Sequence, residues 1–122
     1  MSETLALNNE QYIGLLKLLA VAQQQRRVMT YRQVIEKLQL PAPSVRRLAT
    51  TLERLAQQDH QHQRPLRSAL VVSQAQPAHP QLGFMEYVQK LGRFQGHMDE
   101  SNVAAWLETE LAQVYSYSYP EV

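Results

Sequence analysis

The stretch Val28 to Ala56, VMTYRQVIEKLQLPAPSVRRLATTLERLA, constrains this chain most, because two short apolar periodicities flank a segment that no helix can cross. Pro41 and Pro43 lack amide protons and push the residues before them toward extended geometry, so a helix opening at Tyr31 must stop near Leu38. Thr30 is suited to cap that helix, and Val34, Ile35 and Leu38 form its inward side. Pro43 suits the opening turn of the next helix, predicted over about residues 43–57, with Val45, Leu48, Ala49, Leu52, Leu55 and Ala56 on the buried stripe. The opposite face then carries Ser44, Arg46, Arg47, Thr50, Thr51 and Arg54.

Around this unit the periodicity predicts further helices. Tyr12, Leu15, Leu16, Leu19 and Ala22 recur at three- and four-residue steps, marking a helix over 9–25 that Asn8 or Asn9 can cap. The polar run from Gln57 to Pro65 reads as a loop, Leu66 to Ser73 as a short strand, and the Pro- and Gly-containing run from Gln74 to Gly83 as an exposed loop. Phe84, Tyr87, Val88 and Leu91 share a helical face that ends near Gly92. The last helix spans about 101–115 and carries Val103, Trp106, Leu107, Leu111 and Val114. The closing YSYSYPEV alternates Tyr and Ser and is a strand-like or loose tail.

A chain of 122 residues with 44% hydrophobic content is sized for one domain with one core. It has no cysteine, which excludes disulfides, thiolate nucleophiles and Cys-ligated zinc and points to a reducing, cytoplasmic setting. No leader-like segment opens the sequence, and no apolar run approaches a membrane span, so no membrane association is expected. The net charge of +1 conceals a strong asymmetry. Residues 26–93 hold eleven Arg and Lys against four Asp and Glu, a net +7, while residues 94–122 hold five acidic groups and no Lys or Arg. A basic middle of this kind is what a polyanion-binding domain carries.

The order helix, short helix, tight turn, basic helix, strand and proline-containing loop resembles the winged helix-turn-helix superfamily over roughly residues 12–83. The resemblance implies a mainly α fold with a small β wing, a core over about 9–83, a C-terminal helical extension over 84–115 and a tail over 116–122. It also implies double-stranded DNA as partner and a bacterial or phage transcriptional regulator as the role. The segment from residue 29 to 107 resembles small bacterial proteins without an assigned activity, through Pro65-Leu66, Ala69-Leu70-Val71-Val72, Pro80 and Gly83-Phe84. MTYRQV with the Arg-bearing helix after it is similar to the DNA-binding half of alkyltransferase-like proteins, whose Pro-Cys-His-Arg reactive site, or its Trp-substituted version, is missing here.

The winged-helix resemblance sets the expected contacts. Ser44, Arg46, Arg47, Thr50 and Thr51 would lie at the major groove, since Arg can grip guanine in bidentate fashion or pair with phosphate. Arg26, Arg27, Arg32, Arg54, Arg64 and Arg67 would meet phosphates, with Thr30 at the opening of the second helix. Trp106, Leu107 and Leu111 form either core or a homodimer interface.

Other chemistries have little to stand on. His60, His62, His79 and His97 do not form a ligand pattern, so no metal or other cofactor is expected. No nucleophile elbow, phosphate-cradling glycine loop or metalloprotease motif is present, and Glu108 and Glu110 fall on different sides of their helix, so no enzyme activity is expected. The alternative function is a protein-interaction module, an adaptor or inhibitor of a larger machine, working through its acidic C-terminal part without binding DNA.

Overall fold

The computed structural model of the chain describes residues 5–120. Helix α1 (Asn9–Gln25) opens on a reciprocal cap: the Asn8 side chain accepts from the Gln11 amide at 2.8 Å, and the Gln11 side chain accepts from the Asn8 amide at 3.0 Å. It buries Leu15, Leu16, Leu19 and Ala22 and ends on Arg26 in the left-handed region. After a two-residue strand β1 (Met29–Thr30), helix α2 (Tyr31–Leu38) repeats the same device with Thr30 and Gln33. Leu40 then plugs the core, and the exposed Pro41 and Pro43 bracket the turn into α3 (Ser44–Gln61).

Helix α3 runs one turn past its expected end, into the polar stretch read as a loop. Asp59 continues the inward stripe of Leu52, Leu55 and Ala56 and is fully buried among partners described below. Leu66 to Ser73 is likewise not the expected strand. A 3₁₀ turn (Arg67–Leu70) precedes a strand of only two residues, β2 (Val71–Val72), which pairs parallel with β1 in the register Met29 to Val71 and Thr30 to Val72. Every residue from Leu66 to Val72 is buried, so there is no inside-outside alternation to hold a long strand, and an apolar run this short fits either geometry. Ser68 ties the turn to α3 by donating from Oγ to the Leu52 carbonyl at 2.7 Å.

Within the segment expected as loop, β3 (Gln74–Ala75) and β4 (Ala78–His79) form a small antiparallel hairpin around Gln76 and Pro77. Helix α4 (Leu82–Lys90) follows, and Gly92 just beyond it takes φ 80, as its glycine permits. Helix α5 (Glu100–Ser116) is capped by Asp99, whose side chain accepts from the Asn102 amide at 2.8 Å.

The described residues thus form a mainly helical fold with two small two-stranded sheets. One core cluster joins α1, α2, α3, the 3₁₀ turn and β2 to Leu107, Leu111 and Val114 of α5. A second gathers Ala56, Leu66, Phe84, Met85, Val88, Phe94 and Val103, and Trp106 packs against both. Trp106, Leu107 and Leu111, read from sequence as either core or a homodimer interface, pack inside the chain. Leu107 and Leu111 are 2% and 9% exposed, and the Trp106 indole Nε1 donates to the Arg93 carbonyl at 2.8 Å. No described helix is long and apolar enough to cross a membrane.

Candidate nucleic-acid interface

Because the inner stripe of α3 is fixed by Leu48, Leu52 and Leu55, its outer side is fixed too. Arg46, Thr50 and Arg54, four residues apart, lie along that side; both arginines are exposed, and Thr50 is half-buried. At 1.5 Å per residue the two arginines are spaced about 12 Å along the axis. Arg47 flanks the row and is half-buried. Glu53 lies on the other flank, where burial raises its carboxyl pKa and Lys90 of α4 pulls it back down. Ser44 is half-buried at the start of the helix.

Two assignments on α3 are corrected. Thr51, placed at the groove from sequence, is 4% exposed; its hydroxyl donates to the Arg47 carbonyl at 3.0 Å and accepts from the Leu7 amide at 3.2 Å. Its position three residues after Leu48 and four before Leu55 puts it on the inward stripe. Val45, placed in the core, is 46% exposed, because it borders an open cleft rather than a packed neighbour.

Beside that first turn lies an open cleft of about 510 Å³, lined by Tyr31, Arg32, Ile35, Glu36, Ser44, Val45, Ser73 and Gln81. Arg32 is exposed and pairs with Glu36 at 3.5 Å. The Thr30 hydroxyl is occupied as a cap, accepting from the Gln33 amide at 3.1 Å. Burial drives the Tyr31 hydroxyl far above its ordinary pKa, with Glu53 adding to the effect. Arg26 and Arg27 are exposed at the far end of α1, where the Arg26 guanidinium lies 5.7 Å from the centre of the Tyr115 ring.

The largest correction concerns Arg64 and Arg67, expected to meet phosphates. Both are 4% exposed and turn inward to Asp59, which is 0% exposed. Arg64 Nε donates to Asp59 at 3.0 Å, and Arg67 donates to it from its amide, Nε and Nη2, each at 3.2 Å. The Tyr119 ring lies over Arg67 at 4.4 Å, and its hydroxyl donates to the Pro65 carbonyl at 2.7 Å. Next to this cluster Glu110 is bound by Arg93 Nη2 at 3.0 Å and by the Leu66 amide at 2.7 Å. These side chains hold the segment after α3 against α5.

Sequence reasoning missed this network, although a signal was present: Asp59 and Glu110 each occupy a stripe position, three or four residues from Leu55, Ala56, Leu107 and Val114. A carboxylate there must be partnered or excluded. Of the acidic C-terminal groups, Asp99, Glu100 and Glu108 are exposed, and Glu121 lies outside the described residues. Among the described residues no group of three or more His, Asp or Glu side chains is placed to hold a metal.

Compared with known protein families, with curated proteins and with solved structures, the chain matches none.

Proposed function

We propose that this chain is a winged helix-turn-helix protein that binds double-stranded DNA non-covalently, as a cytoplasmic transcriptional regulator of bacterial or phage type. The observation that carries this reading is the row Arg46, Thr50 and Arg54 on the outer side of α3, with its inner side locked into the core. The B-form major groove, about 12 Å wide, admits an α-helix, and this row would present two guanidiniums within it. In this reading α1 and α2 brace α3, the β3–β4 hairpin is the wing, and Arg26, Arg27, Arg32 and Arg47 supply phosphate contacts. Arg64 and Arg67 are spent on Asp59 and take no part.

A titration with random-sequence duplex at two salt concentrations tests it. Log affinity falls against log salt with a slope of about −0.9 per neutralised phosphate. Arg46→Ala and Arg54→Ala leave the fold intact, and each lowers that slope by about one if its guanidinium sits on a phosphate. A parent protein that fails to bind near 50 mM salt, in the roughly micromolar range of non-specific association, overturns the reading.

One observation favours the second reading, a protein-interaction module. Ile13 and Val21, eight residues apart on α1, are 44% and 47% exposed on the same side of the helix, with Lys17 between them. This stripe is the surface such a module would offer if duplex binding is absent.

A further inference from the structure

Helix α1 presents to water an apolar–basic–apolar stripe, Ile13, Lys17 and Val21, and helix α5 presents a small–acidic–small one, Ala104, Glu108 and Ala112. All six side chains are exposed. In both stripes the residues stand four apart, so each step rises about 6 Å and the three positions follow one helix ridge. Neither Lys17 nor Glu108 has an ion-pair partner among the described residues. Lys37 of α2, exposed across an open cleft that Ile13 and Lys17 also line, adds a second base beside α1, whereas α5 exposes Glu100 and Glu108 and no base.

We infer that α1 of one copy of this chain docks antiparallel on α5 of a second copy, with Lys17 against the partner's Glu108, Ile13 against the partner's Ala112 and Val21 against the partner's Ala104. Alanine lets the two axes approach closely, and the longer Ile and Val side chains fill the space between them. Charge decides the direction. Antiparallel, the same register carries the end of α1 with Arg26 toward the partner's Glu100, and Glu10 toward the uncharged Ser116 of the partner subunit. A parallel register would bring Glu10 to the partner's Glu100 instead. A twofold pair makes the contact twice, α1 on α5 and α5 on α1, and leaves no stripe open. The inference rests on neither reading of the function, and it gives the α1 stripe an occupant that is present wherever the chain is.

Sedimentation equilibrium of the full chain, without DNA, tests it. The parent self-associates to a dimer. Lys17→Glu and Glu108→Lys, both at exposed positions and checked for folding by circular dichroism, turn two attractions into two repulsions, so each weakens the dimer about tenfold or more. Mixed in equal amounts, the two variants recover association close to that of the parent, because a pair made of one of each restores both contacts with the charges exchanged. A parent that stays monomeric up to about 1 mM, a dimer that either charge reversal leaves unchanged, or a mixture no tighter than the variants alone overturns the inference. The first of these outcomes leaves the α1 stripe to a different protein.

Discussion

Replacing Asp59 by Asn removes one negative charge while keeping the shape of the side chain, and it discriminates sharply between a surface role and a core role for Arg64 and Arg67. The Asp59 carboxylate accepts four hydrogen bonds from these two arginines, at 3.0 to 3.2 Å, with all three side chains no more than 5% exposed. An amide in its place turns an NH₂ toward donors and leaves two guanidiniums buried beside a neutral group. Breaking a buried ion pair from one side costs about 3–5 kcal/mol. That is a fifth or more of the roughly 5–15 kcal/mol that holds a domain of this size folded. With roughly 4 °C lost per kcal/mol, the melting temperature should fall by about 12–20 °C. Urea denaturation followed by circular dichroism gives the same loss as a shift in midpoint at constant slope. Arg67→Ala should be similarly damaging, since it also strips the cation from beneath Tyr119. An Asp59→Asn protein within about 1 kcal/mol of the parent would refute the argument, because a desolvated pair cannot be broken that cheaply.

Thr30→Ala should cost about 1 kcal/mol in denaturant unfolding by deleting the cap of α2, while Thr30→Ser, which keeps the accepting oxygen, should stay close to the parent. Trp106→Phe keeps an aromatic ring between the two core clusters but loses the 2.8 Å bond to the Arg93 carbonyl, so a loss of about 1–2 kcal/mol is expected by the same assay. Glu53 has a raised carboxyl pKa in the folded chain, caused first by burial and partly offset by Lys90. The folded state therefore holds this proton where the unfolded chain has released it, and stability falls as pH rises from the unfolded carboxyl value through the folded one. Glu53→Gln should flatten that part of the pH profile; superimposable profiles for parent and variant would contradict the assignment.

Local chemistry at the starts of α1 and α2 was legible because it is written within a few residues. Asn8 with Gln11 and Thr30 with Gln33 satisfy the first-turn amides from inside their own segments, and Pro41 and Pro43 stop α2 whatever surrounds it. The three- and four-residue spacing of Leu15, Leu19, Leu48, Leu52, Leu55, Leu107 and Leu111 marks buried stripes with no knowledge of what covers them. The end of α3 was not legible. Its last turn carries Asp59, whose burial is tolerable only because Arg64 and Arg67 fold back from beyond the helix. Leu66 to Val72 was ambiguous for a related reason: a segment covered on all sides shows no periodicity of its own.

The same division decides the candidate interface. Arg46, Arg54, Arg64 and Arg67 are one residue type within one net-basic segment, and by sequence all four were candidates for DNA. Helix phase, readable from the leucines, turned Arg46 and Arg54 outward. Only the tertiary fold brought Arg64 and Arg67 to a buried carboxylate. A guanidinium leaves water only where a carboxylate and well-aimed acceptors replace its hydration; Asp59 is only five and eight residues from Arg64 and Arg67, but its burial and their approach to it are set by the chain folding back after α3 and packing against α5.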